Sequence, residues 1–236
     1  MDNKKFLEIV EQSFKKYLAT SARSNEKLKV LHGAIATDLK ALLGKDFNIQ
    51  SLGFESGKET EIVGRYLPKK VDIVISKGKD ALCGVAVKFV MSNYKQNSNN
   101  YFESMLGETA NIRTANKGYF QVLVLPKKLP YFEKDGTISK IEIINEHDLA
   151  KYIKLSNDNT DLYFHTPNKT LIYIVDFLNF DHKTISHKTA FAAHFNNIEK
   201  LDIRADAVPY KFGDNIIVND YETFIKKVVA YINYLS

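Results

Sequence analysis

The chain has 236 residues, 44% of them hydrophobic and 26% charged, with a net charge of +5 and an isoelectric point near 9.0. That allows one large domain or two small ones, with apolar residues enough for a core, and the basic balance favours a polyanionic partner. The single cysteine, Cys83 in the apolar run ALCGVAV, excludes an intramolecular disulfide and suits a reducing cytoplasm. No stretch approaches the roughly 20 apolar residues of a membrane span, and the charged start MDNKKFLEIVEQ is not a secretory signal.

Two helices come first. Phe6, Leu7, Val10, Phe14, Tyr17 and Leu18 recur at helical spacing over residues 4–20. Leu28, Leu31, Ile35, Leu39 and Leu42 repeat it over 25–43, with Gly44 as a stop. The spacing predicts a helical hairpin over 1–45. Strands follow at 47–52, 61–66 and, after Pro68, 70–75. Residues 77–80 (KGKD) are turn material. The run 82–90 is apolar apart from Gly84 and Lys88, as in a strand covered on both faces. SNYKQNSNN (92–100) reads as a polar loop, 100–114 as a helix, and 119–125 as another buried strand closed by Pro126.

The second half continues with a strand at 140–144, a helix at 146–153, a strand at 170–177 and a helix at 220–235. There is no internal repeat and no long linker. The pattern predicts a single α/β domain with a mixed sheet, in which 46–126 is the chemical core. Pro126 and Pro130 bracket a charged turn, a possible boundary before a portion (127–236) that serves specificity or dimer contacts.

Charged residues inside apolar strands point to chemistry. Asp72 lies within VDIVI and Lys88 near the end of GVAVKF, and a carboxylate among β-branched residues is costly to bury without a partner or a metal. If the two runs are adjacent strands, both charges meet at one sheet edge. An aspartate, a second acid and a lysine held together are what phosphodiester hydrolysis requires: carboxylates to hold a cation, and a lysine to steady the phosphate or the attacking water. A plain structural ion pair would use the same residues.

Asp72, thirteen residues, then Ala86-Val87-Lys88 resembles the motif of the PD-(D/E)XK nucleases, and over 59–126 the chain is most similar to type II restriction endonucleases. Lys70-Val71-Asp72 lacks the motif's proline, and Ala86 stands where its second acid belongs. Some restriction enzymes of that superfamily take the acid from the next helix, a little over a dozen residues past the lysine. Here fourteen residues separate Lys88 from Glu103, and Glu108 comes five later. Both glutamates fall about 110° from the centre of that helix's apolar stripe, on opposite flanks, so the helical wheel does not choose. Spacing favours Glu103, with Glu108 as the alternate. Ala86 is either a vacancy filled from the helix or an acid erased by substitution.

The resemblance implies a restriction-endonuclease-like mixed β-sheet flanked by helices, and a Mg²⁺-dependent endonuclease. It implies Asp72 and Glu103 as metal ligands, Lys88 as the catalytic cation, and Glu61 as a further acidic ligand upstream. It implies a homodimer acting on a short palindromic site in double-stranded DNA. Lys95, Gln96, Asn97, Asn99 and Asn100, just after the lysine, are candidate DNA contacts, since amides and lysines bind phosphates and base edges. A structure-selective repair nuclease and a DNA-binding module with an inactive site are the rival expectations. His182, His187 and His194 lack zinc-site company.

Overall fold

A computed structural model describes residues 1–20, 25–55, 57–177 and 185–235. The elements in chain order are α1 (Asn3–Ala19), α2 (Glu26–Leu43), β1 (Phe47–Ser51), β2 (Thr60–Val63), β3 (Pro68–Val71), β4 (Ile73–Lys77), β5 (Asp80–Phe89), α3 (Tyr94–Arg113), β6 (Gly118–Pro126), β7 (Lys128–Phe132), β8 (Ile138–Ile143), α4 (Glu146–Leu155), β9 (Lys169–Phe177), α5 (Lys188–Asn196), β10 (Ile203–Ala205), β11 (Ile216–Val218) and α6 (Tyr221–Tyr234). Among the described residues no helix is long and apolar enough to cross a membrane.

The central sheet is mixed and runs β1-β4-β5-β6-β9-β10, with β11 also on β9. β1, β4 and β5 form an antiparallel meander, whereas β5, β6 and β9 are parallel. A parallel neighbour needs a crossover, and α3 supplies the one from β5 to β6. All nine residues of β6 are buried, as expected for a strand covered on both faces. Its side chains alternate: Phe120, Val122 and Val124 join the core under α1, α2 and α6, while Leu123 and Leu125 join the core under α3 and α4.

The helix stripes follow their spacing except at the end of α2, where Leu42, expected on the stripe, is 49% exposed and Leu43 is buried in its place. Phe6, Val10, Phe14 and Tyr17 of α1 are buried, as are Leu31, Ile35, Leu39 and Leu43 of α2, which ends where Gly44 takes a φ of 80°. The mixed α/β sheet flanked by helices is therefore present, and it continues across residue 130, because β9 pairs with β6.

Three local expectations change. The strand expected over 70–75 is broken at Asp72 into β3, which pairs with β2 in a separate hairpin, and β4, which joins the main sheet. The 92–100 segment is not a loop: α3 begins at Tyr94, launched by Asn93 in the left-handed region (φ 51°). Its start is held from outside the helix, by Glu142 accepting the Lys95 N–H at 3.1 Å and by Asn93 bonding Phe132 main chain through both ends of its amide. Pro130 is not in a turn but in β7, opposite Ile141 in the β7–β8 hairpin, a two-stranded setting that tolerates its missing donor. α5, β10 and β11 were not foreseen from the sequence. His187 accepts the Thr189 N–H at the start of α5, and His182 lies outside the described residues.

Candidate active site

The break at Asp72 has a chemical cause. Instead of extending the β4 ladder, its carboxylate Oδ2 accepts the N–H of Val87 on β5 at 2.7 Å. Side chain thus replaces main chain in the pairing, and the acid is fixed beside the strand that carries Lys88. Alternation then puts Ala86 and Lys88 on one face of β5, towards α3. A cleft of about 680 Å³ opens there, between α2, the β3–β5 strands and α3.

Asp72, Ala86, Lys88 and Glu108 all line this cleft, with Lys27 and His32 from α2, Lys69 and Lys70 from β3, and Tyr119 and Gln121 from β6. On α3 the lining positions are Asn100, Tyr101, Ser104, Met105 and Glu108, of which the last four are the i, i+3, i+4, i+7 face of a helix. Glu103 is five positions before Glu108, about 140° round the helix. It is exposed and its charge acts on Lys151, away from the cleft. The structure therefore brings Glu108, not the spacing-favoured Glu103, to Asp72 and Lys88.

Glu108 is firmly held. One carboxylate oxygen lies 2.6 Å from the Lys69 ammonium, and the other accepts the Tyr119 hydroxyl at 3.0 Å. Lys88 makes no ion pair with Asp72; its ammonium rests 4.4 Å from the centroid of the Tyr101 ring, a cation–π contact. Its charge still reaches Asp72. Burial pushes the Asp72 carboxyl up to about 6, against the Val87 N–H, which favours the ionised form; the like charge of Glu108 raises it further, and Lys88 and Lys69 pull it down.

His32 was missed by the sequence reading. It is 1% exposed, and neither ring nitrogen has a hydrogen-bond partner among the described residues. Its Nδ1 lies 3.9 Å from Asp72 Oδ1. Burial holds the imidazole down to about 4, with Glu59 pulling the other way, so it is neutral at pH 7. A sequence signal existed: position 32 follows Leu28 by four and precedes Ile35 by three, which places a histidine on the buried stripe of α2. One residue on, α2 packs against the turn after β1, where a side chain at Gly33 would come within 2.5 Å of the Gly53 carbonyl.

The remaining candidates are dispersed. Glu61 is exposed on β2, opposite Lys70 in the hairpin register, and does not line the cleft. Lys95 pairs with Asp148 at 3.0 Å, Gln96 accepts from the Tyr131 hydroxyl, Asn97 donates to the Asn93 carbonyl, and Asn99 accepts from Lys151. These four are thus engaged in the protein's own contacts, whereas Asn100 lines the cleft.

Among the described residues no three His, Cys, Asp or Glu side chains form a group that could hold a metal. The donors that do share the cleft are two carboxylates, Asp72 and Glu108. Magnesium fits such a sparse set, since it keeps most of its waters and takes one or two carboxylates together with substrate phosphate oxygens. Burial chiefly raises Asp72 and the like charge of Glu108 adds to it; a divalent cation would offset both. Chemically the cleft offers two acids, four lysines and a dry imidazole, a setting suited to an anionic substrate. Compared with protein-family models, curated proteins and solved structures, the chain matches none of them.

Proposed function

We propose that this cleft hydrolyses phosphodiester bonds in double-stranded DNA with Mg²⁺, as a type II restriction endonuclease. The observation that carries the proposal is the meeting of Asp72 from the β3–β4 break, Lys88 from β5 and Glu108 from α3 in one cleft with a lysine excess. The order strand, turn, strand, helix, strand around them (β4, β5, α3, β6) supports it further.

In this reading Asp72 and Glu108 would hold the cation, which would supply charge against the pentavalent phosphate and acidify a water. Lys88, free to swing off the Tyr101 ring, steadies the non-bridging phosphate oxygen or orients the water. The water oxygen bonds to phosphorus and gives up a proton to solvent, one P–O ester bond breaks, and the departing oxygen takes up a proton. Lys69 keeps Glu108 neutralised in the cation's absence and would have to give up that ion pair for Glu108 to hold a cation. Lys27 and Lys70 draw in the phosphate backbone. His32, neutral and unpaired, offers Asp72 a fixed polar neighbour on the α2 side. Sequence-specific cutting by a homodimer belongs to the same proposal by resemblance.

The test is conversion of supercoiled plasmid in Mg²⁺ or Mn²⁺ by wild type and by the Asp72→Ala and Lys88→Ala variants. Discrete fragments from wild type and none from the variants are expected; full activity in either variant overturns the assignment. A second reading, a DNA-binding module that does not cut, is favoured by Ala86 and by the Lys69–Glu108 ion pair. Duplex binding without cleavage in either metal, unchanged in Ala86→Glu, would establish it.

A further inference from the structure

The β2–β3 hairpin is built as a rigid arm. At its base Ile62 and Val71 are buried in a small core with Val74, Ile112 and Tyr119. At its tip, the Asn111 side chain, 7% exposed on the last turn of α3, takes hold of the turn backbone. Its Oδ1 accepts the N–H groups of Tyr66 (2.9 Å) and Leu67 (3.3 Å), and its Nδ2 donates to the Leu67 carbonyl (2.9 Å). The Asn111 carbonyl accepts the Arg65 N–H at 2.8 Å. Gly64 permits the grip, since a Cβ there would lie 2.2 Å from the Asn111 amide.

What this fixed turn displays is apolar and aromatic: Val63 is 70% exposed, Tyr66 75% and Leu67 55%. Arg65 stands over the Tyr66 ring at 5.7 Å. So much exposed apolar surface on a clamped turn costs free energy in water and signals a partner. The charge says which kind. From Thr60 to Val71 the arm has three cations (Arg65, Lys69, Lys70) and one acid (Glu61). It also runs directly into the cleft, because Lys69, Lys70 and Val71 are cleft walls.

We infer that the β2–β3 hairpin is a duplex-DNA-binding arm whose tip, Arg65-Tyr66-Leu67, packs into a groove beside the cleft, a conclusion that rests on the nuclease reading. Aromatic and apolar side chains that wedge against base steps, with an arginine beside them, are a general mode of groove binding. Five strand residues from Leu67 to Asp72 span about 16 Å, or about five base pairs along a duplex. The arm therefore touches DNA about half a helical turn from the reacting phosphate. Being pre-ordered by Asn111, it loses little conformational entropy on docking.

The test is fluorescence anisotropy of a labelled 30-base-pair random duplex in EDTA, with wild type and the Tyr66→Ser/Leu67→Ser double variant. Both residues are exposed, so the thermal midpoint should be unchanged. Binding about tenfold weaker, with the same dependence on salt because no charge is removed, supports the arm. Equal binding by both proteins overturns it while leaving the nuclease reading intact. Unaltered duplex binding with loss of a wild-type dimer in sedimentation makes the tip a self-contact and also overturns it. Absence of duplex binding by wild type removes the nuclease reading, and the arm with it.

Discussion

Two acids flank the same helix and are treated in opposite ways. Asp38, on α2, is 9% exposed; it accepts the Tyr221 hydroxyl at 2.9 Å and pairs with the Met1 amino group at 2.5 Å. Asp72, facing α2 from the sheet, receives one backbone N–H, sits 3.9 Å from an uncharged histidine, and is opposed by Glu108. The first is a satisfied structural acid that ties α2 to α6. The second is left short of partners in a cleft, which costs stability and leaves coordination capacity for something that arrives. Under-partnering, more than depth of burial, separates the candidate catalytic carboxylate from the structural one.

The sharpest way to break this contrast is through activity. Asp72→Ala and Lys88→Ala should each lower plasmid cleavage by about 10³-fold, read as initial rates of supercoiled conversion, whereas Asp38 variants that remain folded should cut normally. Next in size is the cost of removing the structural acid. Asp38→Ala strands the buried Tyr221 hydroxyl and should lower stability by about 3 kcal/mol, measured as a urea midpoint shift.

Asp72→Asn should have the reverse effect. The folded Asp72 value of about 6 is above its ordinary value of 3.8, so between those limits the native state binds more protons than the unfolded state. Asp72 therefore lowers stability increasingly as pH rises through that window. The asparagine variant keeps an acceptor for the Val87 N–H without the charge. Its advantage should be absent below pH 4 and reach about 1 kcal/mol by pH 8, discounted because the side chain is 27% exposed. A urea titration at the two pH values checks this; a variant less stable than wild type at pH 8 would mean that Asp72 is fully satisfied after all. Cleavage should fall over the same window as Asp72 protonates on acidification. The smallest effect separates the glutamates: Glu103→Gln should change cleavage less than about twofold, while Glu108→Gln loses about 10²-fold.

Much of the scaffold is legible in the residues, because the α1 and α2 stripes and the continuous apolar runs of β5, β6 and β9 admit few readings. Asp72 and Lys88 stand out as charges inside such runs. The helical wheel leaves Glu103 and Glu108 equivalent and spacing favours Glu103, whereas the cleft takes Glu108, because α3 packs with its Tyr101–Glu108 face towards β5. The start of α3 is hidden for a different reason. Its start at Tyr94, six residues before Asn100, is enforced by Glu142, by Phe132 bonding Asn93 and by Asp148, contacts distant in sequence, and local propensity for an Asn-rich segment points to a loop. Likewise the exposed tip at Tyr66 has no sequence mark. Its significance comes from Asn111, 45 residues on, closing its hydrogen bonds.

The placement of two residues on α3 has a mechanical consequence. Glu108 faces the cleft and Asn111 holds the hairpin turn, three residues apart, which is one helical turn of about 5 Å. No loop intervenes to absorb a displacement. A push on the hairpin tip is delivered to the Glu108 carboxylate through one stiff rod, so that the turn and the acid shift together.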